Sequence, residues 1–276
     1  KVGKDFFLGY SPERVNPGDK VHTIDKINKV VSGQTRKVEK DLFEIYSNLT
    51  SGNVYLAKSI KVAEASKVIE NAQRDINIAF INEVAKICTK INISSYDVLE
   101  ASLTKWNFLN FEPGLVGGHC IGVDPYYLIH KSKLHLLSTQ LIETAREINE
   151  SLTGFLADQI LVEIENAGLR PSDINLLFVG ATFKEDCADI RNSKSLDLIN
   201  LLQKKGLVID VFDPLIKEDI RGLRLITSSD ELKKNYDSIF FSVCHQEIYN
   251  LGINFFKKIH SGTLKIFDYK RVITND

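Results

Sequence analysis

The feature that most constrains the fold is a run of about 32 residues, from about Ser59 to Lys90, that contains neither glycine nor proline. Apolar side chains recur in it at steps of three and four residues, the spacing of one helix face. They are Ile69, Ala72, Ile76, Ala79, Phe80, Val84 and Ile87. The pattern predicts one helix of roughly 45 Å, at 1.5 Å per residue. We expect such a long helix to cross between domains or subunits.

The same helix carries a second, polar stripe at helical spacing: Lys67, Asn71, Arg74 and Asn82. A solvated face is the ordinary explanation for such a stripe. Asparagine is a poor helix former, however, so two of them in an apolar helix need a reason. Lys67 and Asn71 lie one turn apart, which lets both side chains point at one object.

Around this helix the chain has an α/β pattern. Strands are predicted at 5–10, 30–31, 53–57, 174–179, 208–212, 239–243 and 264–267, and helices at about 36–49, 95–103, 138–167 and 193–205. Strands that alternate with helices predict a parallel, doubly wound sheet in the last hundred residues. Ligands bind such sheets beyond the carboxyl ends of the strands. That rule predicts ligand contacts at 181–192, Asp213-Pro214 and Cys244-His245. Within the first of these segments, Lys184 and Arg191 are either phosphate ligands or ordinary surface cations.

A glycine-rich stretch, residues 111–127 (FEPGLVGGHCIGVDPYY), holds a single cysteine, Cys120. Dense glycine predicts a tight loop with exposed amides. A thiol in such a loop is a candidate nucleophile. The alternative is a small buried cysteine in a turn, and the loop by itself leaves both open.

Composition narrows the class of protein. The length of 276 residues suits about two domains, and a net charge of −1 offers no field for nucleic acid or an acidic membrane. Four widely spaced cysteines, none in a C-x-x-C pair, argue against a zinc site and a disulfide scaffold. No apolar run is long enough to span a bilayer. We therefore expect a cytoplasmic protein without a membrane or nucleic-acid partner. The chain has no Met and begins at Lys1, so we also expect it to be part of a longer protein.

Four ordered blocks resemble one family, the nucleotide-sugar 6-dehydrogenases of the UDP-glucose/GDP-mannose dehydrogenase type. They are YSPERVNPG (10–18), VAEASKVIENAQRDINIAFINE (62–83), PGLVGGHCIGVDPYYL (113–128) and GATFKEDCADIRNSKSLDLI (180–199). The segments TKWNF and GGHCIGVDPYYL are similar to those of the family branch that oxidises UDP-N-acetylhexosamines for surface polysaccharides. UDP-glucose dehydrogenases usually have lysine where this chain has Val123.

The resemblance implies an α/β fold in three parts. Residues 1–57 would be the tail of an N-terminal NAD-binding Rossmann domain, whose glycine fingerprint is absent from the sequence. Residues 58–170 would form a central helical dimerisation domain with the catalytic loop, and 171–276 a C-terminal Rossmann-like domain that binds UDP. It further implies a homodimer through the long helix.

The resemblance also implies catalytic roles for oxidation of the sugar C6 hydroxyl to a carboxylate with two NAD. Asp124 would act as base through a water, and Cys120 would attack the aldehyde and become a thioester. Lys67 and Asn71 would stabilise the oxyanion. Glu13 would assist hydrolysis without the second glutamate that relatives often have, since Pro17 stands there.

The remaining residues implied by the resemblance contact substrate or cofactor. Arg191 would reach toward NAD, which Cys120 would also face, and no metal is implied. The predicted substrate-binding residues are Arg14, Arg74, Asn107, Phe108, Leu109, Asn110, Gly114, Gly117, Gly118, His119, Phe183, Lys184 and Lys270. Where relatives have an arginine that reaches the neighbouring subunit's site, this chain has Lys105.

Three alternatives stay open from the sequence. The substrate could be UDP-glucose, because a few pocket contacts decide the sugar. The chain could be a dimeric nucleotide-sugar-binding fragment that oxidises nothing. A cysteine hydrolase built on Cys120 is the third, although no second motif supplies its histidine and Lys67-Asn71 would go unexplained.

Overall fold

The structure is a computed structural model that describes residues 1–16, 19, 21–269 and 271. Its N-terminal part is a three-stranded sheet with one helix. The elements are β1 (Gly9–Tyr10), β2 (Lys29–Gly33), α1 (Arg36–Leu49) and β3 (Val54–Leu56). β1 is antiparallel to β2, and β2 is parallel to β3. The predicted strand at 5–10 is wrong over its first four residues, since β1 has only two residues and the chain before it folds into a turn closed by the Gly3 N–H and the Phe6 carbonyl.

The long helix is confirmed as α2 (Ile60–Lys90), 31 residues that span about 46 Å. Ser59 caps it by accepting a hydrogen bond from the Val62 N–H. Its predicted apolar face divides in the structure. The alanines Ala72 and Ala79 are buried, whereas the large side chains at 69, 80 and 87 are exposed. Small residues let α2 lie close to its neighbours on one side and leave the bulky ones outside.

Three further helices surround α2: α3 (Ser95–Leu103), α4 (Asp124–Lys133) and α5 (Gln140–Asn166). α3 and α5 match the prediction, and Gly168 follows α5 at φ +71°, the left-handed conformation that ends many helices. α4 was not predicted. It has ten residues, and its hydrophobic pattern is too short to distinguish from the loop before it.

The last part is a five-stranded parallel sheet in the order β6-β5-β4-β7-β8, so the predicted parallel α/β sheet is confirmed. Its elements are β4 (Asn175–Val179), α6 (Lys194–Lys204), β5 (Val208–Phe212), β6 (Arg224–Ile226), β7 (Ser238–Phe241), α7 (Gln246–Ile259) and β8 (Ile266–Asp268). β6 and α7 were not predicted.

Both faces of this sheet are covered by apolar cores. Leu176 and Phe178 of β4 pack with α6 on one face, and Leu177 and Val179 pack with α7 on the other. The second half of α5 also packs on the α6 face through residues such as Ile160. α5 therefore joins the central helices to the sheet, which fixes the glycine-rich loop between them.

Candidate active site

The glycine-rich loop is anchored to α2 at its first glycine. The buried Asn82 side chain accepts a hydrogen bond from the Gly114 N–H at 2.8 Å and donates to the Gly114 carbonyl at 3.0 Å. Its amide also donates to Asn149 of α5 at 2.9 Å. One asparagine thus fixes the loop's entry to two helices. This explains why a poor helix former lies in α2.

The paired glycines fit against the first loop of the parallel sheet. Gly118 has φ +80°, and a Cβ there would lie 2.7 Å from the Phe183 ring. Its N–H donates to the Asn192 carbonyl at 3.2 Å. A Cβ on Gly117 would lie 2.6 Å from that same oxygen. These glycines are required by a close approach of the 183–192 segment, whatever else the loop contacts.

Cys120 and Asp124 are separated by one tight turn. The Cys120 carbonyl accepts hydrogen bonds from the Val123 and Asp124 N–H groups at 3.1 and 2.8 Å, and its thiol side chain is exposed. Asp124 is the first residue of α4. Its Oδ2 accepts a hydrogen bond from the Asn71 amide at 2.6 Å. The structure therefore places the predicted base beside one predicted helper and within four residues of the predicted nucleophile.

Lys67 is half-buried and lies one helical turn before Asn71. Within the described residues it forms no hydrogen bond or ion pair. Its ammonium is therefore available to an anion on the same face of α2 as the Asn71–Asp124 pair.

Glu13 and Arg14 approach α2 from the N-terminal part. Glu13 accepts a hydrogen bond from the Val15 N–H at 2.7 Å, and its second oxygen is 3.9 Å from the buried Lys29 ammonium. Arg14 forms a two-bond pair with Glu70 of α2 at 2.7 and 3.1 Å. Arg14 thus binds the protein itself in this structure, and its predicted contact with substrate stays a prediction.

His119 links the glycine-rich loop to Arg191, in the loop after β4, through Asp189. Its Nε2 is 3.4 Å from Asp189, which forms a two-bond pair with Arg191 at 2.7 and 3.0 Å. The hydrogen bond from Arg191 lowers the pKa of Asp189 well below its usual range, more than partial burial raises it. Arg191, whose side chain is 72% exposed, is held in place by this carboxylate.

Lys184 extends from the sheet to the N-terminal part. Its ammonium donates to the Asn16 side chain at 2.8 Å and lies 5.9 Å from the centre of the Phe183 ring. The loop after β4 therefore directs the Phe183 side chain toward the glycine-rich loop and the Lys184 side chain toward the segment that holds Glu13.

The other predicted binding residues are less tied to this constellation. Asn107, Leu109 and Asn110 are exposed and Phe108 is half-buried, in an irregular segment that leads into the glycine-rich loop. Arg74 is exposed on α2, one turn beyond Asn71. Lys270 lies outside the described residues.

Sequence reasoning missed the buried polar network beneath the site. Asp75 of α2 accepts hydrogen bonds from Arg146 and Asn149 of α5 at 2.5 and 2.8 Å, and Arg146 also pairs with Glu150. Lys194, the first residue of α6, binds Glu150 at 2.5 Å. Ion-pair partners 71 residues apart leave no local signal. The available hint in the sequence is the charged Asp75 within the apolar pattern of α2.

The residues present do not make a complete NAD site by themselves. A dinucleotide is usually held by a glycine-rich turn at a helix N-terminus, and the 276 residues contain no G-x-G-x-x-G. The exposed guanidinium of Arg191 suits a pyrophosphate. Among the described residues, no group of three or more potential ligands could hold a metal ion. In that same part of the chain, no helix combines the length and apolarity needed to cross a membrane.

Comparison with known proteins identifies the family. Residues 61–151 match the UDP-glucose/GDP-mannose dehydrogenase family, central domain, and residues 177–275 match the UDP binding domain of the same family. The chain belongs to the UDP-glucose/GDP-mannose dehydrogenase family, as its four sequence blocks predict.

Individual relatives refine this result. Protein CapL of Staphylococcus aureus is 45% identical over 278 residues, which cover 99% of this chain and 65% of CapL. The UDP-N-acetyl-D-glucosamine 6-dehydrogenase of Salmonella typhi is 42% identical over 272 residues, 98% of this chain and 64% of that protein. The solved structure of the UDP-N-acetyl-mannosamine dehydrogenase Cap5O from S. aureus matches with a TM-score of 0.82 at 30% identity, covering 100% of this chain and 63% of that one. The chain spans less than two thirds of the length of each.

Proposed function

We propose that the full-length protein containing this chain oxidises the C6 hydroxyl of a UDP-N-acetylhexosamine to a carboxylate, with NAD as oxidant. The single observation that carries the proposal is the Asn71–Asp124 hydrogen bond at 2.6 Å, one turn from the exposed Cys120. A base with a helper amide, and an exposed thiol one backbone turn from that base, suit stepwise oxidation of an alcohol through a covalent intermediate.

In the first oxidation, Asp124 takes the proton of the C6 hydroxyl through a water while C6 loses a hydride. NAD supplies the hydride acceptor in this step and in the second oxidation. The Asn71 amide orients the carboxylate of Asp124. Lys67, on the same helix face, stabilises the negative charge that develops on the C6 oxygen.

In the second stage, the Cys120 sulfur bonds to the C6 aldehyde carbon, and the proton that the thiol loses ends on the carbonyl oxygen, which gives a thiohemiacetal. Loss of a second hydride and the hydroxyl proton gives a thioester. Water then attacks the thioester carbon, releasing the carboxylic acid and the free thiol. Glu13 takes the proton of that water. The covalent bond keeps the reactive aldehyde from escaping between steps.

For substrate binding, we propose that the irregular segment at 107–110 and the glycine-rich loop surround the sugar. Lys184 binds the diphosphate, and Lys270, which is outside the described residues, is assigned to nucleotide binding from the sequence alone. Arg14 and Arg74 complete the site, and Arg191 faces the cofactor. We also propose the division into parts at 1–57, 58–170 and 171–276, because two separate sheets flank the helices around α2.

We propose that two copies associate through α2. Ile69, Phe80 and Ile87 form one stripe along this helix, the α2 stripe, and are 55%, 56% and 53% exposed. Exposed apolar patches of this kind mark interaction sites, and a second copy of the same helix is the occupant that two-fold symmetry favours.

We propose a cytoplasmic location for the protein. Its four cysteines are all free, which suits a reducing compartment.

The test is an assay of the full-length protein with NAD and separate UDP-sugars. We expect two NADH per UDP-N-acetylglucosamine or its galacto epimer, and Cys120→Ser is expected to abolish acid formation. Cys187→Ser, which changes a half-buried thiol in the 181–192 loop, is the matched control and should keep activity. Turnover of UDP-glucose alone would refute the substrate class, and normal acid formation by Cys120→Ser would refute the covalent step.

A further inference from the structure

A buried polar cluster lies at the carboxyl ends of β4, β5 and β7. Its members are Thr182, Asp213 and His245, which are 0%, 0% and 1% exposed. Their positions follow the strands where ligands are expected, yet their side chains bind one another. His245 Nε2 lies 3.1 and 3.2 Å from the two Asp213 oxygens and 3.3 Å from the Thr182 hydroxyl.

The hydrogen bonds fix the proton on His245. The Asp186 N–H donates to Nδ1 at 3.0 Å, so Nδ1 is an acceptor and the ring proton lies on Nε2, toward Asp213. The Asp186 side chain in turn accepts from the Gln246 N–H at 2.9 Å, at the start of α7. Asp186 has φ +52°, a conformation unfavourable for a residue with a Cβ. These two hydrogen bonds hold it there.

Asp213 binds the beginning of the same loop. One oxygen accepts from the Ala181 and Thr182 N–H groups at 2.7 and 3.2 Å, and the other accepts from the Leu215 N–H at 3.0 Å. Burial raises the pKa of Asp213, but His245 and these amides outweigh burial and lower it. The group is therefore a carboxylate at neutral pH and a strong acceptor.

The loop held in this way, residues 181–186, carries two predicted substrate-binding residues. Its start is fixed by Asp213 and its end by His245, and the Thr182 hydroxyl donates to the Lys184 carbonyl at 3.0 Å between them. From this loop Phe183 packs on Gly118 and Lys184 reaches Asn16.

We propose that Asp213 and His245 are positioning residues that hold the 181–186 loop so that Lys184 meets the substrate's diphosphate and Phe183 supports the cysteine loop. The identity of the ligand rests on the proposed function. Neither residue touches the substrate. Their loss therefore weakens binding of a uridine diphosphate and raises KM more than it lowers kcat.

Two substitutions in the full-length protein separate the two hydrogen bonds of His245. In His245→Gln the amide nitrogen replaces Nε2 and still donates to Asp213, but the Asp186 N–H loses its acceptor. In His245→Asn the amide oxygen replaces Nδ1 and still accepts from Asp186, but Asp213 loses its donor. Tyr236→Phe is the control, because its hydroxyl donates to Asp210 at 2.9 Å inside the same sheet without contacting the loop.

Three measurements compare the variants: backbone hydrogen exchange in residues 181–186, affinity for UDP by calorimetry, and steady-state kcat and KM. We expect His245→Gln to expose the Asp186 amide to exchange and to weaken UDP binding about tenfold, the scale of one lost hydrogen bond. His245→Asn should protect that amide better than His245→Gln does. Tyr236→Phe should lower only the melting temperature.

The outcomes are distinct. Unchanged exchange in both His245 variants overturns the positioning role, and so does faster exchange with unchanged UDP affinity. A kcat loss with unchanged KM also overturns it, since that pattern belongs to a group acting in the chemical step. If the unmodified protein fails to bind UDP, the proposed function fails, while the exchange data still decide whether His245 holds the loop.

Discussion

At the scale of single residues, the Asn71–Asp124 contact has the most direct consequence for the proposed reaction. Asn71→Leu should lower kcat about 10- to 100-fold, because a hydrogen bond to a charged group contributes about 1.5–3 kcal/mol. Single-turnover rates of NADH formation would measure it. Asn77→Leu is the matched control on the same helix, since the Asn77 amide binds the Gln73 carbonyl of its own helix. Equal losses in the two variants would assign the effect to α2 instead of Asp124.

Gly118 is the second residue whose role follows from local geometry. Gly118→Ala places a methyl 2.7 Å from the Phe183 ring at φ +80°, so we expect a loss of at least ~2 kcal/mol in the free energy of unfolding. The matched control is Gly154→Ala inside α5, where a Cβ meets nothing within 4 Å. That change should stabilise by about 0.5–1 kcal/mol. Urea unfolding compares the two, and the same sign of change in both would contradict this account.

At the scale of elements, local pattern predicted the structure where each element carries its own signal. The periodicity of α2, the buried strands β4 and β5 and the glycine stop after α5 lie where the sequence places them. α4 and α7 were not predicted. α4 has only ten residues and α7 kinks at Gly252, with φ +69°, so neither shows a helical periodicity over a long stretch. The sequence also does not show which side of α2 is buried, because its apolar pattern combines alanines with bulky residues and no partner surface is known.

The candidate site was predictable by residue type but not by partner. Cys120, Asp124, Lys67 and Asn71 stand out in the sequence, and the structure brings Asn71 and Asp124 together across 53 positions. The contacts that shape the loop come from distant segments without a local pattern. Asn192, for instance, is 74 positions from Gly118 and lies in the loop between β4 and α6. Long-range packing decides such pairs, and one sequence does not reveal them.

Packing of α2 on α5 depends on the buried pair of Asp75 and Arg146. Removing Asp75 leaves the buried Arg146 with only the partly exposed Glu150 as its ion-pair partner and takes an acceptor from Asn149. Asp75→Ala should therefore cost about 3 kcal/mol in the free energy of unfolding. The exposed pair of Asp173 and Arg170 provides the control. Asp173→Ala should change stability by less than about 1 kcal/mol. Thermal denaturation at matched pH measures both, and a small effect of Asp75→Ala would mean that water reaches Arg146.

At the scale of the whole molecule, the site is assembled from three separate parts of the chain. Lys184 of the parallel sheet binds Asn16 beside the N-terminal sheet, and Lys194 binds Glu150 of α5. Arg271 binds Asp97 of α3 at 2.6 Å. Because contacts such as these join segments next to the two flanking sheets to each other and to the helices between them, a change in their relative position alters the candidate site without touching Cys120.

The α2 stripe is the feature that the isolated chain leaves unexplained. If it is the contact between two copies, Phe80→Glu should convert a dimer of the full-length protein into a monomer, because two buried carboxylates would face each other across the two-fold axis. Sedimentation velocity measures the mass, and circular dichroism checks that the helices persist. Val208→Glu, a similarly exposed position at 49% on β5, is the control and should stay dimeric. A monomeric unmodified protein, or a Phe80→Glu variant that remains a dimer, would show that the stripe serves a different contact.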